Sequence, residues 1–123
     1  MAQEDRLWRL EDEAVRRYHR QCESLECRED ALRVRERRLD QVAEGFLWDV
    51  GRCRAMVDDM LGTVPCVARQ AAFAAEELAC AQGEATMRLG ECHGELARER
   101  RDLERQRDQA DEEYRHALRS CHG

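Results

Sequence analysis

Gly62-Thr63-Val64-Pro65 is the stretch on which the reading of this sequence turns. Pro65 is the sole proline of the 123 residues. Proline lacks the amide donor and clashes with the preceding turn, so it opens a helix and does not sit inside one, while glycine suits the left-handed cap of the helix before it. Gly62 and Pro65 therefore predict a turn over 62–65 between two helices, helix 1 over about 3–61 and helix 2 over about 66–121.

Outward from that turn, both arms carry apolar residues at coiled-coil spacing. Leu7, Leu10 and Ala14 start a stripe that settles into heptads, with Leu25, Leu32, Leu39, Phe46, Cys53 and Met60 at every seventh residue and Val42, Val50 and Val57 on the intervening seam. Gly45 and Gly51 are the weak points of this arm, the places within 45–51 where it could bend or break, since each glycine costs about 1 kcal/mol against alanine. Beyond Pro65 the pattern resumes with Val67, Ala71, Ala75, Leu78 and Ala85, then Leu89, Leu96, Leu103, Ala110 and Ala117.

Folding the chain about residue 64 sets Leu10 against Leu118, Leu25 against Leu103, Leu32 against Leu96, Leu39 against Leu89 and Val50 against Leu78, while Ala14 meets Tyr114 and Tyr18 meets Ala110. The same register places Arg16 with Glu112, Arg20 with Asp108, Glu23 with Arg105, Asp30 with Arg98, Arg33 with Glu95 and Arg37 with Glu91, and brings Arg28 near Glu99 and Gln21 near Gln106. The competing reading, a parallel coiled coil of two copies kinked at Pro65, stacks Arg28 and Arg35 on their own twins at seam positions. The antiparallel hairpin avoids this and is preferred. The expectation is one all-α, coiled-coil-like hairpin domain over 1–123 that associates as a helical bundle.

Composition narrows the function classes. Charged residues (39%) nearly equal hydrophobic ones (42%) and aromatics are 5%, the profile of long helices with narrow seams and no thick core. Lysine, isoleucine and asparagine are absent, which points to a GC-rich coding sequence. The net charge of -6 opposes binding to nucleic acid and to anionic lipid. The most apolar stretch, Phe46 to Leu61, holds Asp49, Arg52, Arg54, Asp58 and Asp59, so membrane insertion is not expected. An intracellular, cytoplasmic location is expected, with the nucleus as the alternative, and the seven cysteines read as free thiols.

No catalytic constellation emerges. His19 with Cys22, Cys92-His93 and Cys121-His122 raise zinc, but no CxxC occurs and the hairpin does not converge four ligands. Cys53 and Cys92 are expected on the seam and Cys66 exposed beside the turn. Asp58-Asp59 reads as a salt-bridged helix end, and the arginine runs at 33–38 and 98–101 as solvated, paired faces, because acids interrupt them. No enzyme activity, metal or cofactor is expected.

From Ala43 to Ala81 charge thins and apolar residues occupy several faces. Phe46, Trp48, Ala55, Met56 and Phe73 are the expected partner interface: Trp48, Ala55 and Phe73 project away from the heptad leucines and Met56 sideways. Long acidic hairpins of this kind resemble coiled-coil adaptor, scaffold or assembly subunits as a class. The reading is a non-enzymatic interaction or scaffold protein that binds a protein partner, itself, or both, a homodimer being the simplest assembly. The alternatives are a cysteine-based redox or metal-binding module and, behind it, a nucleic-acid-binding helical protein.

Overall fold

A computed structural model describes residues 2–63 and 68–122. All of them lie in two helices, α1 over Ala2–Thr63 and α2 over Ala68–His122, paired as an antiparallel hairpin. α1 starts with Glu4 and Asp5 in its first turn, and α2 ends with Arg119 and His122 in its last, each sign complementing the helix dipole.

The helix ends differ from expectation. α1 continues through Gly62, which is helical, and among the described residues no glycine has positive φ. The expected left-handed cap at Gly62 is not formed, and Thr63 Oγ1 donates back to the Asp59 carbonyl at 2.8 Å, a bond within the helix to the residue four positions earlier. Pro65, with Cys66, lies outside the described residues. α1 also runs unbroken through Gly45 and Gly51.

The chain divides into two units. The first comprises Met1–Val34 with Leu96–Gly123, the second Arg35–Glu95. In the first unit Leu25, Leu32, Leu96, Leu103 and Ala110 are buried, Leu32 and Leu103 to 2% exposure each. Tyr18, Tyr114, Ala117 and Leu118 are half-buried beside them. Leu10, expected on the seam, is 48% exposed, because so close to the start of α1 little of α2 remains to cover it.

The register of this unit is about one heptad away from the expected one. Leu32 and Leu103 wall the same small cavity, as do Leu25 and Ala110, so Leu32 does not take Leu96, nor Leu25 Leu103. Tyr18 stacks on Tyr114, ring centroids 4.4 Å apart, where Ala110 was expected. Arg28 Nη1 donates to Gln106 Oε1 at 2.6 Å, Gln21 Nε2 to Glu113 at 3.4 Å and Arg107 Nη2 to Glu29 at 3.2 Å. His122 lies 3.4 Å from Glu11. Several expected cross-helix ion pairs give way to pairs within one helix, Arg16 with Asp12, Arg33 with Asp30 and Arg105 with Asp102.

Two geometric causes account for this shift. The described helices end at Thr63 and resume at Ala68, so their midpoint lies beyond residue 64. Helical side chains also lean toward their own N-terminus. In an antiparallel pair, α1 side chains lean away from the connection and α2 side chains toward it, which adds to the residue-number sum of every touching pair.

In the second unit Val50 and Ala71 are buried, and Leu39, Ala43, Phe46, Val57, Leu78, Gln82, Ala85 and Leu89 are half-buried. Arg54 Nη2 donates to Gln82 Oε1 at 3.0 Å. Toward the connection only one position per heptad is covered, Val50 and Val57 on α1, Ala71 and Leu78 on α2. The intervening Cys53, Met60 and Ala75 are exposed. For Met60 the reason is chemical. α2 opens with an alanine-rich run, Ala68 to Ala75 apart from Arg69, Gln70 and Phe73, and a methyl group offers little apolar depth for a facing helix to bury against.

Candidate interaction surface

The second unit carries most of the large apolar side chains left open. Trp48, Met56 and Phe73 are 69%, 65% and 61% exposed, and Ala55 is exposed beside them in sequence on α1. At about 100° per residue, Trp48 and Ala55 stand nearly opposite Val50 and Val57, and Phe73 nearly opposite Ala71 and Leu78. These side chains point outward because the heptad rows of the same helices have already claimed the inward direction.

Phe46 departs from expectation. It is half-buried on the seam face, four residues before Val50, so it helps join the two helices and is not part of an outward surface. Cys53, Met60 and Cys92 depart in the other direction: each sits at a heptad position expected to be inside, and each is exposed. Val42, expected on the intervening seam, is exposed instead, and Leu47, Leu61 and Met87, which were not singled out from the sequence, add to the open apolar surface of this unit. Met87 had a signal to find it, being fourteen residues, two heptads, after Phe73.

In the first unit the chemistry is polar. Tyr18 hydroxyl donates to Asp111 Oδ1 at 2.5 Å. This bond, aided by a second with Cys22, holds the phenol proton and pushes the Tyr18 pKa well above the ordinary tyrosine value. A groove of about 910 Å³ opens over the Tyr18–Tyr114 stack, lined by Leu10, Ala14, Arg17, Arg20, Glu113 and His116 among others. Its walls are solvated charges of both signs, which fits a bundle surface better than the apolar pocket of a small-molecule site. Trp8 is 73% exposed near the start of α1.

Among the described residues thiols and metal-ligating groups do not gather. Cys27, Cys53, Cys80 and Cys92 are exposed free cysteines and Cys22 and Cys121 are half-buried. Among the described residues no three His, Cys, Asp or Glu side chains are grouped so as to hold a metal ion, and no helix is long and apolar enough to cross a membrane.

Comparison with protein-family models, with curated proteins and with solved structures yields no match to this chain.

Proposed function

We propose that this protein is a non-enzymatic coiled-coil interaction or scaffold subunit that binds a partner helix, a second copy, or both, through the outward faces of the second unit. The observation that carries this reading is the exposure of Trp48, Met56, Phe73 and Met87 on helices whose seam is already occupied. Monomers seldom leave large apolar side chains gathered on one part of the surface, and burying each contributes about 1.5 to 3 kcal/mol to an association. Two-fold association through this unit would build a four-helix bundle there. An intracellular, cytoplasmic setting suits free thiols of this number.

Sedimentation at micromolar concentration tests the reading. The expected result is a dimer that Trp48→Glu with Phe73→Glu converts to monomer, with helical circular dichroism retained because neither side chain lies on the seam. An oligomeric mass unchanged by the double substitution rejects this surface.

A further inference from the structure

The outer face of α2 in the second unit carries a second heptad pattern, separate from the seam. Phe73, Cys80 and Met87 recur every seven residues, all exposed, and at about 100° per residue they form a ridge nearly opposite Ala71, Leu78 and Ala85. A second row, Glu77, Glu84 and Glu91, follows the same period about 40° further round. Glu76 and Glu95 share this face, and all five glutamates are exposed. The opposing charges on this face are Arg69, at the start of α2, and Arg88, four residues after Glu84 and about 40° beyond it, so the face keeps an excess of glutamate. On the other flank Gly83 has open space where a Cβ would stand, so nothing in the hairpin requires glycine there and a neighbouring backbone can approach closely.

An apolar heptad row edged by a glutamate row is one half of a coiled-coil seam, and the edge charges select its mate. We infer that this ridge is the docking track for one helix of a different protein, amphipathic and basic, with apolar residues at heptad spacing edged by arginine or lysine. This rests on the second unit being an interaction surface and names the partner's chemistry. The same α2 of a second copy fits poorly. Laid antiparallel with Cys80 against Cys80, it sets Glu76 against Glu84 at both symmetry-related positions, which cancels the attraction of Arg69 for Glu91 in the same register and leaves no net charge gain; laid parallel, it runs the glutamate rows side by side. A second copy has the Trp48 face of α1 instead, where Arg52 lies among Glu44 and Asp59 and charge imposes no such selection.

Calorimetric titration of the full chain with two synthetic peptides tests this. Each peptide is about three heptads long with leucine at the seam positions, one edged with arginine and its twin with glutamate. The arginine-edged peptide is expected to bind at least about tenfold more tightly, by a margin that shrinks with added salt. Glu77→Arg, Glu84→Arg and Glu91→Arg together should invert the preference with helicity unchanged. Glu84→Arg alone should narrow it, which keeps the test available should the triple variant lose helix. Phe73→Ala should weaken the arginine-edged peptide. Equal binding of the two peptides, or a preference that these charge reversals leave unmoved, overturns the basic partner while leaving the second unit an interaction surface. Binding of neither peptide by a chain that sediments as a dimer, dissociated by Phe73→Glu alone, overturns it in favour of a second copy on this ridge. Binding of neither by a chain that stays monomeric overturns both readings.

Discussion

Tyr18 and Asp111, ninety-three residues apart, are joined by a 2.5 Å hydrogen bond from phenol to carboxylate, one turn from the Tyr18–Tyr114 ring stack. The bond belongs to the protonated phenol. A group whose folded pKa is raised adds stability that is fully present below its unfolded value, about 10 for tyrosine, and loses it as pH rises through the folded value. Alkaline titration followed by tyrosinate absorbance should therefore show one phenol ionising well above the ordinary range. Asp111→Ala should return that phenol toward the ordinary value and shift the alkaline loss of helicity to lower pH. A titration identical in both proteins would show that the pair does not hold the proton.

The seam of the first unit makes a sharper statement about neighbours. Leu32 and Leu103 share one cavity wall and are each 2% exposed. Leu32→Ala and Leu103→Ala should each destabilise by about 2 to 5 kcal/mol, and together by less than their sum, because the second truncation enlarges a cavity already made. Leu32→Ala with Leu96→Ala should lie closer to additive. Urea denaturation of the two cycles checks the register, and stronger coupling of Leu32 to Leu96 would restore the alignment about residue 64.

The polar rungs are worth less individually. Glu29 with Arg107 is a cross-helix ion pair with a sheltered carboxylate, its side chain 22% exposed. Exchanging the two charges, Glu29→Arg with Arg107→Glu, should be better tolerated than either change alone, by about 1 kcal/mol at most and less in high salt. Thermal unfolding at low and high salt reads the difference.

Gly51 lies inside α1 with open space where a Cβ would stand, no atom coming within 4 Å of that point. Gly51→Ala should raise the unfolding free energy by about 1 kcal/mol through helix propensity alone. A destabilised variant would mean that this glycine serves a contact made outside the hairpin.

Hydrogen exchange should separate the two units. Where only one position per heptad is covered, around Val50 to Val57 and Ala71 to Leu78, amides are expected to exchange faster than around Leu25 to Leu32 and Leu96 to Leu103, because fewer buried side chains must be exposed to open the helix. Uniform protection along both helices would show that the thin seam does not lower local stability.

By itself the sequence determined that there are two long helices, and which face of each turns inward at Leu25, Leu32, Val50, Leu96 and Leu103. Period and helix-breaking chemistry are local properties, so they are written in the order of residues. It also marked Trp48, Met56 and Phe73 as outward, since a side chain opposite a heptad row has nowhere else to point. The pairing of one helix with the other was decided only in the tertiary structure. A heptad repeat matches its mate equally well after a slip of seven residues, and the choice rests on contacts between distant residues, Tyr18 on Tyr114, Leu32 beside Leu103, Arg28 to Gln106, together with the opposed lean of side chains on antiparallel helices. The same holds for Cys53, Met60 and Cys92. Their spacing promised burial, but a position is buried only where the facing helix presents enough side chain to cover it, which the alanine-rich start of α2 does not do for Met60.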